Sequence, residues 1–285
     1  MNIANKPHRF KNLLAKCVRS PLIFLATGVR SPVTFTQYLN NADAYRRGFE
    51  YASNWSSESY QVDKDLGALS KRDEGDKNQL LEYFRNNKKG PGIWKWEHYF
   101  EVYQRHFSKF VNKPVDVTEI GIYSGGSLNM WKWYFGERSH IRGIDIEPAC
   151  KTYERDGISI MIGDQEDRNF WKRFKDTVPG IDVLIDDGGH TFEQQIVTLE
   201  ETLPHIRPGG VYLCEDMHCL HHQLVSFASG MISELNQIGK DGIPNGFQKC
   251  VHSIHIYPYL LVIEKHITPP SRIHAPKFGS EWQPY

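Results

Sequence analysis

The chain has 285 residues, 40% of them hydrophobic, enough for one large domain or a core domain with an extension. Its 34 basic and 34 acidic side chains cancel to a formal net charge of zero, which argues against a general nucleic-acid binder. Five cysteines (Cys17, Cys150, Cys214, Cys219 and Cys250) are scattered, odd in number and without a C-x-x-C pair, a pattern of a reducing compartment and not of a disulfide framework.

The first segment is one-sided in charge. No Asp or Glu precedes Asp43, whereas Lys6, Arg9, Lys11, Lys16, Arg19 and Arg30 do. That pattern reads as a solvated helical extension first, with organelle targeting or a weak membrane-surface contact as the other readings of a cytoplasmic protein. The apolar run Leu22–Ala26 is far short of the roughly 18 residues that span a bilayer, so no transmembrane segment is expected. Residues 1–92 read as a helical N-terminal extension, suited to acceptor binding or a subunit contact. Asn78–Phe84 has helical spacing there, and Asn86–Gly92 breaks it. In the following Trp94–Phe107 segment, Trp96, Tyr99, Phe100, Tyr103 and Phe107 fall at helical spacing. They form an apolar face against the core or a cap over a cofactor.

From Pro114 onward strands and helices alternate. Strands are expected over Val115–Ile122, Ile141–Ile146, Ile158–Ile162, Ile181–Ile185 and Gly210–Cys214. Helices are expected over Ser127–Phe135, around Phe170–Phe174 and over Thr191–Leu203. Such alternation predicts an α/β fold with a doubly wound, mostly parallel sheet and helices on both faces. Val251–Tyr257 and Leu260–Glu264, joined by a turn containing Pro258, read as a closing antiparallel hairpin. The domain limits that follow are 1–92 for the extension, 93–270 for the α/β domain and 271–285 for a C-terminal tail.

The candidate site lies at the carboxyl ends of the strands, which border the ligand crevice in open parallel sheets. The first strand runs into Glu119-Ile120-Gly121-Ile122-Tyr123-Ser124-Gly125-Gly126-Ser127, where glycines let the backbone approach a ligand and the helix start offers free N–H groups. Gly121, Ser124, Gly125 and Ser127 are therefore candidate cofactor contacts. Asp145, ending the next strand, suits ribose hydroxyls, and Asp164 with Gln165 after the third strand suits an adenine edge. The loop lacks G-x-G-x-x-G spacing, and an acid at Glu119 would repel a pyrophosphate. Glu119 suits a donor bearing an ammonium and a sulfonium, so S-adenosylmethionine fits better than NAD. Further along, Asp186-Asp187-Gly188-Gly189-His190 and Glu215-Asp216 place carboxylates and an imidazole at strand ends, a pattern of a hard-metal site with a base beside it. Cys214 through His222 also invites a zinc reading, weakened by non-standard spacing.

Taken together, Glu119-Ile120-Gly121 through Leu128, Gly143-Ile144-Asp145, Gly163-Asp164-Gln165, Asp186 through His190 and Glu215-Asp216-Met217-His218 resemble the metal-dependent S-adenosylmethionine O-methyltransferases of natural-product sugars. That group includes the mycinamicin and rhamnosyl O-methyltransferases and related cephalosporin hydroxylase-like proteins. Lys95-Trp96-Glu97-His98-Tyr99-Phe100 and Ile254-His255-Ile256-Tyr257 resemble it as well, so the likeness covers about Trp94 to Lys265. It implies a Rossmann-like class I methyltransferase fold with a seven-stranded sheet, and a homo-oligomer. It also implies magnesium at Asp187, Glu215 and Asp216, with Asp187 doubling as a cofactor contact and His190 as general base. The chemistry is consistent. If an alcohol has a pKa near that of water, about 15.7, and histidine one near 6.5, the gap is roughly 12 kcal/mol, too much for imidazole alone. The expected function is magnesium-dependent methylation of a hydroxyl on a sugar or glycosylated metabolite. A hydroxylase, or a non-catalytic S-adenosylmethionine-binding subunit, is the alternative.

Overall fold

The computed structural model describes residues 46–53, 78–217 and 223–279. The chain divides into two compact units, residues 1–75 and 76–285. In the first, residues 46–53 form a helix carrying an exposed Arg46–Glu50 pair at 2.6 Å. The acid-free N-terminus lies outside the described residues.

The second unit holds a seven-stranded sheet. Its strands are β1 (Asp116–Ile120), β2 (His140–Asp145), β3 (Ile158–Ile162), β4 (Ile181–Asp186), β5 (Ile206–Cys214), β6 (Val251–Tyr257) and β7 (Leu260–Lys265). The spatial order is β3-β2-β1-β4-β5-β7-β6. The first five are parallel, while β7 runs antiparallel to both β5 and β6, as the hairpin pattern predicts. β5 starts earlier than its apolar run suggests. Its register against β4 shifts between Ile181 and Val183, and this irregularity carries the strand past Pro208, which cannot donate to a ladder.

The α-helices of this unit are α1 (Gln79–Asn86), α2 (Tyr99–Phe107), α3 (Gly126–Phe135), α4 (Arg168–Thr177), α5 (Phe192–Thr202), α6 (Gln223–Leu235) and α7 (Gly246–Cys250). Alternation along each strand sends side chains to two separate cores. Val117, Val183, Val211 and Val262 pack with α1, α2 and α3, around Trp131, Tyr103 and Phe107. Leu184, Tyr212, Leu261 and Ile263 pack with α4, α5 and α6, around Trp171 and Phe174. Leu80 buries α1 in the first of these cores, so α1 belongs to the α/β unit. Asn78 accepts from the Leu81 N–H to cap it, and ties it to the carbonyl of Phe100 at 2.8 Å.

α2 begins at Tyr99, later than the aromatic periodicity suggests, and leaves Trp94–Trp96 in the preceding segment. Among the described residues, no helix is long and apolar enough to cross a membrane.

Candidate active site

A cavity of about 750 Å³ opens at the carboxyl ends of β1, β2, β4 and β5. The segment from Gly92 to Glu97 forms one wall of it. Of the twelve residues singled out from sequence, Gly121, Ser127, Asp145, Asp164, Gln165, Asp187, His190, Glu215 and Asp216 line this one space.

On the glycine-loop side the chain is built for close approach. Gly121 sits at φ 79°, and a Cβ there would lie 2.0 Å from the carbonyl oxygen of Asp187. Only glycine lets β1 and β4 leave the sheet so close together. Asp145 then fixes the loop, its carboxylate accepting the N–H groups of Ile122 at 3.0 Å, Tyr123 at 3.2 Å and Glu147 at 2.9 Å. Ser124 and Gly125 are not part of the cavity lining. The Ser124 hydroxyl donates to the Gly92 carbonyl at 2.8 Å, and Gly125 packs against the Tyr153 ring. Glu119 also lies beneath the surface, wholly buried, and accepts the Ser127 hydroxyl at 2.6 Å.

Gln165 lines the cavity but is held by protein groups. Its amide donates to Asp186 at 3.0 Å and Thr198 at 3.1 Å, and its oxygen accepts the Gly189 N–H at 2.6 Å. Asp164 accepts the Glu166 N–H at 2.8 Å, which shapes the same turn. Asp186 is buried and accepts Gln165 and, at 3.3 Å, the Tyr212 hydroxyl. Burial pushes its pKa up to about 7.

The acidic side joins the ends of β4 and β5. Asp187, His190 and Asp216 present ligand atoms within 4.8 Å of one another. His190 immediately precedes Thr191, whose hydroxyl and Gln194 form a reciprocal capping box at the start of α5. That cap sets the position from which the imidazole reaches Asp216, with Nε2 at 3.5 Å from Oδ2. Asp216 itself stands in the left-handed region at φ 59°, an uncommon conformation for a non-glycine residue. Three contacts fix it: the Tyr99 hydroxyl donates to Oδ1 at 2.7 Å, the Trp96 indole donates to the same oxygen at 3.0 Å, and the Tyr259 carbonyl accepts the next N–H, from Met217, at 3.0 Å. Glu215 lines the cavity too, but its Oε1 accepts the buried Tyr103 hydroxyl at 2.7 Å and the Lys95 ammonium at 3.1 Å.

Lys95 is the residue that periodicity gave no means to single out. Its ammonium, almost fully buried, lies 2.7 Å from Asp187, 3.1 Å from Glu215 and 3.1 Å from Glu119. Burial alone would lower its pKa, but the carboxylates of Asp187, Glu215 and Glu119 outweigh that and hold it well above the usual lysine value. The pKa values of two of the acids move up as well. Burial raises Asp187 to about 6, with Lys95 opposing, and burial together with Asp187 raises Glu215 well above the carboxylate range. Besides burial, the charges are unbalanced: one ammonium stands against four carboxylates, including Asp216. Oε1 of Glu119 shows the same imbalance, since its contact with Lys95 is ionic but off the angle of a hydrogen bond, and it has no hydrogen-bond partner. The donor set therefore fits added positive charge. The clustered carboxylate oxygens of Asp187, Glu215 and Asp216 at the cavity suit a hard divalent cation.

The tyrosines had a readable sign. In the aromatic stripe of α2, Tyr99 and Tyr103 stand where phenylalanine would pack equally well, and a buried phenol needs a polar partner. Of the zinc-like run, Cys214 is buried in β5, while His218, Cys219, His221 and His222 lie outside the described residues.

No family model matches the sequence. Individual proteins do. Demethylmacrocin O-methyltransferase of Streptomyces fradiae is 36% identical over 149 residues, covering 50% of this chain and 36% of that protein. The 8-demethyl-8-alpha-L-rhamnosyl tetracenomycin-C 2'-O-methyltransferase of Streptomyces olivaceus is 29% identical over 202 residues, 62% of this chain and 52% of that protein. Homologues of this chain are sugar O-methyltransferases. The MycE methyltransferase of the mycinamycin biosynthetic pathway, solved with Mg, SAH and mycinamycin VI, superposes with a TM-score of 0.56 at 27% identity, over 66% of this chain and 53% of that one. The unit formed by residues 76–285 thus has the Rossmann-like class I methyltransferase fold expected from sequence. The matched stretch spans between about a third and about half of these relatives' own lengths.

Proposed function

We propose that this chain is an S-adenosylmethionine-dependent O-methyltransferase that requires a divalent metal, magnesium by preference, and methylates a hydroxyl of a sugar or glycosylated metabolite. The observation that carries the reading is one cavity bordered by Gly121 and Asp145, at the ends of β1 and β2, and by the Asp187, His190, Asp216 group. The relatives' names supply the substrate class.

The proposed metal-holding carboxylates are Asp187, Asp216 and Glu215, of which Glu215 is engaged with Lys95 and Tyr103 in this side-chain arrangement. When bound, a divalent ion lowers the pKa of a hydroxyl it touches, and S-adenosylmethionine brings an electrophilic methyl group. The residues do the rest. Gly121, Ile122, Tyr123, Ser127 and Asp145 form the donor side of the cavity, and Glu119 meets the Lys95 ammonium from below. Tyr99 and Trp96 orient Asp216. His190 receives the hydroxyl proton at Nε2, the nitrogen turned toward Asp216. Trp94, Lys95 and Trp96 line one wall of the cavity.

The test is methyl transfer from radiolabelled S-adenosylmethionine to a panel of deoxysugar nucleotides, glycolipids and glycosylated metabolites, with and without EDTA. Transfer abolished by EDTA and restored by magnesium is the expected result. Undiminished transfer in EDTA would refute the metal requirement, and absence of S-adenosylmethionine binding by calorimetry would refute the activity.

A further inference from the structure

A second group of ligating side chains lies between α2 and the β6–β7 hairpin, outside the cavity. His106 near the end of α2, His255 in β6 and Glu264 in β7 present ligand atoms within 4.8 Å of one another. Nδ1 of His106 stands 3.2 Å from Oε1 of Glu264, and Nε2 of His255 stands 3.9 Å from Oε2. Donors bonded to one tetrahedral ion at about 2.0–2.1 Å stand about 3.3 Å from each other, so little movement separates this arrangement from a closed site.

The fold explains the convergence. Ser253 pairs with Glu264 and His255 with Val262, so His255, Tyr257 and Glu264 share the sheet face that α2 covers. His106 is almost fully buried there, and its other nitrogen, Nε2, lies 2.9 Å from the Tyr257 hydroxyl. With its proton on Nε2 and donated to the phenol oxygen, His106 gives up the Nδ1 hydrogen bond to Glu264 that it can make in the metal-free protein, and Nδ1 is then bare for a metal. Two neighbouring side chains, Lys109 and Ser253, compete. Lys109 lies 3.1 Å from Glu264 Oε1, and the Ser253 hydroxyl lies 2.9 Å from His255 Nε2 and 3.5 Å from Glu264 Oε2. Lys109 is on the surface turn after α2, from which its long stem can swing into water.

We propose that His106, His255 and Glu264 form a second metal site, for a divalent transition-metal ion of the zinc class, which fastens α2 to the hairpin. Two imidazoles and one carboxylate select such an ion over magnesium, which favours oxygen ligands. The ion would lock the helix that carries Tyr99, seven residues or about 10 Å from His106. The site therefore acts on α2 from the end away from the cavity.

The test uses full-length protein stripped with EDTA and then given cobalt or zinc alone. Because Asp187, His190 and Asp216 could also take cobalt, the background is the double variant Asp187→Asn, Asp216→Asn. That background should bind one equivalent of cobalt with the intense visible absorption of four-coordinate ions, and saturating zinc should raise its Tm by about 5 °C or more. His255→Gln and Glu264→Gln, each added to that background and checked for fold by circular dichroism, should lose both effects. A background that binds no cobalt, or a His255→Gln protein that binds as much, would overturn the proposal.

Discussion

Tyr99 and Asp216 hold each other in two directions: the phenol donates to the carboxylate at 2.7 Å, and the Asp216 N–H donates back to the same phenol at 3.3 Å. The reciprocal pair stabilises a residue whose backbone is in the left-handed region. It also turns the Asp216 carboxylate into the cavity. Tyr99→Phe should keep the fold and cost about 1–3 kcal/mol, the usual penalty for a buried polar group deprived of its partner. Magnesium affinity, measured by calorimetry, should fall roughly 10-fold or more, as for other losses of groups that orient a ligand. Unchanged affinity would show that Tyr99 serves packing only.

Lys95 neutralises part of an acidic cluster that is otherwise short of positive charge. Lys95→Met keeps the stem's volume and removes the ammonium. Breaking a buried ion pair from one side costs about 3–5 kcal/mol, and denaturant titration of the metal-free protein should show a loss of that order. Magnesium should recover part of it, because the ion supplies the missing charge. A variant as stable as the parent, with no gain from magnesium, would contradict the electrostatic role.

His190 is half exposed, and its contact with Asp216 is at 3.5 Å, so its removal should leave the fold unchanged. With the acceptor found by the transfer screen, His190→Ala should lower the chemical step by about 10²–10⁴-fold and leave S-adenosylmethionine affinity unaltered. Single-turnover kinetics separate the two effects. A full-rate variant would remove the imidazole from proton transfer.

Glu264 governs part of the acid limb of stability. Hydrogen bonding from His106, then from Lys109, holds its carboxyl at about 2, against 4.5 for a free glutamate. The folded pKa is depressed, so this contribution is present above about pH 4.5 and is lost as pH falls toward 2. In metal-free protein, Glu264→Gln should therefore be less stable than the parent at pH 6, with the difference shrinking between pH 4.5 and 2. Parallel stability curves across that range would rule out the linkage.

Much of the sheet was legible because each strand is a short apolar run with turn residues at its ends. Ile158–Ile162 and Val251–Tyr257 match their expected limits, and the closing hairpin follows from its Pro258 turn. β5 begins at Ile206, ahead of the expected Gly210, because a shift of register carries the strand past Pro208. α2 is shorter than the aromatic period predicts: Trp96 continues that period but lies before the helix and reaches Asp216 instead.

Sequence by itself determined the alternation of strands and helices, the glycine turn that follows the first strand, and the presence of acids at several strand ends, because these depend on neighbours a few residues apart. Only the tertiary structure decided which acids meet and what balances them. Lys95 is 92 residues from Asp187 and 120 from Glu215 in the chain, yet within 3.1 Å of both carboxylates. No local pattern encodes that contact. It arises because the sheet aligns the ends of β1, β4 and β5, and burial then strengthens every charge placed there.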